Sequence, residues 1–158
     1  GARKSTGDIL IFCHADTILP ANAFEILESF FIGGRNQLGT FRMRFDHHHW
    51  LLSLYAYFTR FDSILTSFGD QCMVVRRTFF NALGGFPDWP LFEDVHFLQK
   101  ARKITRIQKV PADVTTSSDK FVRNGVIRQQ LKNGSLIFQY IRGVSPEKLA
   151  LQYEQETH

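Results

Sequence analysis

Two adjacent carboxylates, Glu93 and Asp94, follow the stiff aromatic approach Gly84-Gly85-Phe86-Pro87-Asp88-Trp89-Pro90. One of the pair could act as a general base, taking a proton from an attacking hydroxyl. The same two residues would also offset a helix dipole if they only opened a helix. Trp89, close to two glycines, suits stacking on a sugar ring. Far earlier stands His14-Ala15-Asp16, directly after the apolar run Ile9-Leu10-Ile11-Phe12-Cys13. In open α/β sheets ligands bind beyond the carboxyl ends of strands. A spacing of two sends both side chains to the same side of an extended chain. Asp16 could hold Mg²⁺ or Mn²⁺, and His14 tilts the choice toward Mn²⁺. Alternatively Asp16 or Thr17 caps the helix that Pro20 opens.

Other groups carry weaker signals. Asp70 and Gln71 could bond sugar hydroxyls or only shape a turn. His47-His48-His49 has no Cys or His at zinc-site spacing beside it, and reads as a surface turn or helix start. The chain carries 19 Lys and Arg against 15 Asp and Glu, a net charge of +4. That excess favours anionic partners such as phosphates or anionic lipid. Nucleic acid is not expected as a partner. Basic residues around Lys100–Lys109 and Lys120–Lys132 read mostly as solvated helix faces. Lys120 or Arg123 is the sharper candidate for meeting a diphosphate. Trp50, Leu51, Leu54, Tyr55 and Phe58 form an apolar stripe that reads as core, with peripheral membrane contact as the other option.

The elements that must position these groups follow from pattern. Residues 9–13 read as a strand covered on both faces, as in a parallel sheet. Pro20 opens a helix with Phe24, Leu27 and Phe31 in register, and Gly33-Gly34 stops it. Residues 38–46 alternate as a strand with one buried face. A helix is predicted over 49–66, a strand over 71–76 and a short helix ending at Gly84-Gly85. A helix over 92–103 follows, then two strands over 104–110 and 112–117. Helices over 120–141 and 146–156 close the chain. Strands mixed with helices give the α/β class, in one domain over residues 1–158. Two cysteines at this length are no disulfide framework, which points to a reducing, cytoplasmic compartment. No signal peptide is visible, and no apolar stretch is long enough to cross a bilayer.

The order of these blocks carries more than each alone. Gly7-Asp8-Ile9-Leu10-Ile11-Phe12-Cys13-His14-Ala15-Asp16-Thr17, ending in Leu19-Pro20, resembles the central block of glycosyltransferase family 2. It is especially similar to the bacterial branch of radical-SAM- and selenobiotic-associated transferases, where the D-x-D position reads His-Ala-Asp. Further similar blocks follow in order: Phe41-Arg42-Met43-Arg44-Phe45-Asp46, Gly69-Asp70-Gln71, Leu83-Gly84-Gly85-Phe86-Pro87 and Glu93-Asp94-Val95. The last is Gly143-Val144-Ser145-Pro146-Glu147-Lys148-Leu149-Ala150. Two departures stand out. His14 replaces the first Asp of the wider motif. Ser118-Asp119-Lys120-Phe121 stands where the branch usually carries basic residues and Trp.

The resemblance implies a partial GT-A fold, a mixed sheet flanked by helices, spanning the C-terminal two-thirds of such a domain. It implies an inverting transfer of sugar from a nucleotide-diphosphate donor to an acceptor hydroxyl. Asp94 resembles the catalytic base, and Glu93 the residue that places the acceptor. Asp16, with His14, resembles the metal and diphosphate site. Asp70, Gln71, Gly84 and Gly85 resemble acceptor-pocket residues. The family's earlier strands, which hold base and ribose, have no counterpart in these residues. The expectations are therefore weak nucleotide-sugar binding by this chain and self-association that covers residues 9–13. A metal-dependent phosphohydrolase using Asp16 and Asp94, and a non-catalytic module that binds anions or a protein, are the competing readings.

Overall fold

The structure, a computed structural model, describes residues 1–63, 66 and 71–155. Among these residues it is an α/β protein with a mixed five-stranded sheet and seven α-helices. The strands are β1 (Ile9–Phe12), β2 (Thr17–Ile18), β3 (Leu38–Phe45), β4 (Met73–Arg76) and β5 (Gln108–Thr116). Their order across the sheet is β1-β4-β3-β5-β2. β3 and β5 run parallel, and every other neighbouring pair is antiparallel. The helices are α1 (Ala23–Phe31), α2 (Trp50–Phe58), α3 (Arg77–Ala82), α4 (Glu93–Arg102), α5 (Asp119–Asn124), α6 (Val126–Ile141) and α7 (Pro146–Gln155). No described helix is long and apolar enough to cross a membrane.

Alternation along β4 explains the layering. Met73 and Val75 point into a core with Leu10, Phe80, Phe97, Leu98 and Ala101, formed under α3 and α4. Cys72 and Val74 point the other way, into a core with Leu27, Phe31, Phe41, Met43 and Val114, under α1. A strand covered on both faces must be apolar at every position, as Met73-Val74-Val75 is. Gly39 permits the closest approach on the α1 side. A Cβ there would lie 2.6 Å from the Phe30 ring, so only glycine lets α1 press onto β3.

Several sequence expectations change. β1 is not a parallel strand. It pairs antiparallel with β4 alone, at the sheet edge, and only Leu10 is buried in it. Leu10 and Phe12 pack on one core and Ile9 and Ile11 on the other, so both faces are covered in part; an apolar run does not tell an edge strand from an inner one. Residues 104–110 and 112–117 are not two strands. They resolve into the single β5, with a register shift opposite Phe41 and Arg42. Pro111 sits at that irregularity, where its missing N–H costs no ladder bond. The predicted helix over 120–141 is split into α5 and α6 at Gly125, whose φ is 80°. Helix 49–66 is shorter, ending at Phe58, and His49 caps it by accepting from the Leu51 N–H (3.2 Å). The stripe expected to pack as core does so only in part: Leu51 and Tyr55 are half-buried, Tyr55 against the core around Phe41. Trp50, Leu54 and Phe58 are exposed, and α2 buries Leu52 instead, with Thr59 at its C-cap. Those two lie seven apart, so they mark the inward helical face, about 150–170° from Leu54 and Trp50 at about 100° per residue.

Four residues, 13–16, join strands on opposite edges of the sheet. Four strand spacings of ~4.8 Å make ~19 Å. Five residue steps reach at most ~18 Å even fully extended. The connection is not extended, because the Thr17 N–H turns back to the His14 carbonyl (3.1 Å). The sheet must therefore curl for β2 to reach β5. There the Thr17 and Thr116 hydroxyls pair at 2.9 Å.

Gly134 lies inside α6, and a Cβ built on it meets nothing within 4 Å. Its φ is not positive, so alanine fits the backbone. Gly134→Ala is expected to raise unfolding free energy by about 0.5–1 kcal/mol. Urea titration checks this; a variant less stable than the parent would refute it.

Candidate active site

The curled connection and the start of α4 face each other. Phe12, Cys13, His14 and Ala15 form one wall of a cavity of about 640 Å³. Phe86, Pro90, Leu91, Phe92, Glu93, Asp94 and Val95 form the other. The sequence order that separates His14 from Asp94 is closed by β1 pairing with β4, and by α4 packing on the same face. Val95, Phe97, Leu98 and Ala101 bury the inner side of α4. The acidic first turn is thereby turned toward the cleft. Phe92, just before it, has a left-handed backbone with φ of 64°. A non-glycine residue there stores strain of about 1–3 kcal/mol, and such residues cluster at functional sites.

Burial pushes the Glu93 carboxyl above its ordinary value, and neighbouring Asp94 adds to that. Its own backbone hydrogen bond and the His14 charge act in the opposite sense. Tyr140, on α6, has its hydroxyl pushed up by burial and then by Asp94. Its ring packs on Phe92 (5.0 Å), and its hydroxyl lies 3.3 Å from Gln99 Oε1. Sequence reasoning missed Tyr140. Nothing marks it locally, because it is one position in a long amphipathic helix.

The remaining expected site residues are placed as follows. Asp16 is exposed on the same connection as His14, but does not line the cavity. Its carbonyl accepts from the Ser117 N–H (3.1 Å). Trp89 packs on His96 (4.5 Å between rings), beside rather than within the cavity lining. Gly84 and Gly85 have φ of 83° and 69°, and their N–H groups bond back to Asn81 and Phe80 carbonyls. They end α3 and deliver Phe86 to the cavity wall. Gln71 is fully buried. Its Oε1 accepts from Lys109 Nζ (2.8 Å), and its amide donates to the Thr66 carbonyl. It lines no part of the cavity. Gly69 and Asp70 lie outside the described residues, and Lys120 sits in α5 with its side chain outside the described part.

Among the described residues, no group of three or more His, Cys, Asp and Glu side chains is gathered to hold a metal ion. His14 and Asp16 make at most a two-ligand set. That suits an ion whose remaining ligands arrive with a phosphate-bearing substrate, as Mg²⁺ often has.

Glu93 gives a pH test. Its folded value lies above its unfolded one, so its contribution to stability is full below the unfolded value, near pH 4.3. It is lost as pH rises through the folded value. Glu93→Gln is expected to be more stable than the parent at neutral pH, with the gap closing in acid. Urea midpoints at neutral pH and near pH 4 check this; an equal gap at both would refute it.

No family model, curated protein or solved structure matches the chain.

Proposed function

We propose that this chain carries the acceptor and diphosphate side of a GT-A glycosyltransferase, one that moves a sugar from a nucleotide-diphosphate donor to an acceptor hydroxyl with inversion. The observation that supports this reading is the single cavity with His14 on one wall and Glu93 and Asp94 on the other. It has the size of a small-molecule site. It sets a potential base opposite His14, with Asp16 exposed two residues farther along the same connection.

In this mechanism Asp94 accepts the proton of the acceptor hydroxyl. The oxygen attacks the anomeric carbon, and the bond from that carbon to the diphosphate oxygen breaks on the opposite face. Glu93, whose carboxyl burial pushes above its ordinary value, orients the acceptor hydroxyl beside Asp94. Phe86 and Phe92 give the wall beside the carboxylates an apolar surface. His14 and Asp16 would hold a divalent ion together with the diphosphate. When bound, that ion supplies charge that offsets the one developing on the leaving group. The exposed row Trp50, Leu54 and Phe58 on α2 is compatible with contact at a lipid surface.

The test is paramagnetic broadening by Mn²⁺ in the presence of UDP or GDP. Amides of residues 13–16 and 93–95 should broaden only when ion and diphosphate are both present. Broadening confined to His47–His49, or to basic faces away from the cavity, would overturn the reading and favour an anion-binding module.

A further inference from the structure

We infer that Cys13 and Cys72 are a cross-strand dithiol that closes reversibly into a disulfide at the cavity wall. The register of β1 and β4 sets the geometry. Ile9 pairs with Arg76, and the ladder runs on to Phe12 opposite Met73. Extended one step past the paired residues, this register sets Cys13 opposite Cys72, which stands just before β4 with a left-handed backbone (φ 52°). The class of that pair follows from the hydrogen bonds. Arg77 N–H donates to the Asp8 carbonyl (2.8 Å), so Asp8 and Arg77 are a hydrogen-bonded pair. Alternate pairs share that character, and Phe12 with Met73 is one of them. Cys13 with Cys72 therefore falls in the non-hydrogen-bonded class. The β3 side agrees, because Phe41 N–H donates to the Cys72 carbonyl (3.4 Å), leaving the β1 side of Cys72 without a ladder bond. Opposed α-carbons in such pairs lie about 4.5 Å apart. A disulfide spans about 4.4–6.8 Å.

The two thiols differ in access. Cys13 is exposed and lines the cavity beside His14, while Cys72 is buried. Burial, and then Cys13 itself, pushes the Cys72 thiol well above its ordinary range. The exposed thiol is thus the first to react, and the buried one resolves. With a low-molecular-weight disulfide as oxidant, the Cys13 sulfur attacks one sulfur and expels a thiolate, giving a mixed disulfide. The Cys72 sulfur then attacks the Cys13 sulfur and expels the second thiolate. Two thiol protons pass to the two departing thiolates, and the oxidant takes up two electrons. The product fastens the 13–16 connection, with His14 and Asp16, to the start of β4.

The experiment treats the folded chain with oxidised glutathione and follows thiol count and peptide mass. The parent should lose both reactive thiols, yield a single peptide joined through Cys13 and Cys72, and recover with dithiothreitol. Cys13→Ser, at an exposed position, should leave Cys72 unmodified. Cys72→Ser should stop with glutathione on Cys13. Parent protein that ends with glutathione on Cys13 and a free Cys72, or that links between chains, overturns the inference. The parent and the Cys13→Ser variant decide it even if Cys72→Ser does not fold.

Discussion

If the chain transfers sugar as proposed, Asp94→Asn is expected to lower kcat by about 10²–10⁴-fold, the contribution a positioned general base makes. Asn keeps the size of the side chain and its place in the first turn of α4. It removes the negative charge and the ability to take a proton. The loss should fall on kcat, measured at saturating donor and acceptor, because the interaction is made as the proton moves. Loss of a carboxylate from a helix N-terminus costs only about 0.3–1 kcal/mol of stability, so the variant remains folded. Activity within a few-fold of the parent, with a normal unfolding transition, would remove Asp94 from the role of base.

Phe97→Ala is expected to have the largest effect on stability, a loss of about 3–5 kcal/mol. The ring is fully buried and lies 5.1 Å from Phe80 and 5.5 Å from Phe86. Phe12 joins the same cluster, 5.1 Å from Phe80 and 4.7 Å from Phe86. Truncation removes apolar burial and leaves a void between sheet and α4 that the surrounding rings only partly fill. For a chain of 158 residues, the shift in Tm would be about 6–20 °C. Phe12 and Phe86 line the cavity, so loosening reaches the site as well. Denaturant unfolding and calorimetry measure this directly. A loss below about 1 kcal/mol would show that the cluster repacks without Phe97.

Much of the architecture was legible where a pattern has one physical meaning. α1 was readable because its apolar residues recur at helical spacing between Pro20 and Gly33. α7 was readable because Pro146 can open a helix but not continue one. β4 was readable as a short apolar strand. Other features were not, because one pattern serves several environments. Ile9–Phe12 is equally apolar in an edge strand and in an inner parallel strand, and only its partner decides. Pro111 reads locally as a break between strands, and becomes a bulge only because β3 continues alongside. Trp50, Leu54 and Phe58 resemble a core stripe, yet the inward face of α2 is the one bearing Leu52.

The site divided in the same way. His14, Glu93 and Asp94 were singled out by residue type and by the order of motifs, and the fold sets all three around one cavity. Gln71 was a polar candidate whose amide instead serves the interior with Lys109 and Thr66. Gly84 and Gly85 act through the turn they permit, which a residue list cannot distinguish from direct contact. Tyr140 and the Cys13–Cys72 juxtaposition depend on tertiary placement and on strand register, so no local signal announces either.

The tight link between the outermost strands acts as a ruler. Its four residues are too few to cross a flat sheet, so their number sets the curvature. An insertion there would slacken the sheet and draw the histidine-bearing rim away from the acidic one. Homologous segments of different length at this point should thus differ in cleft width before they differ in any wall residue.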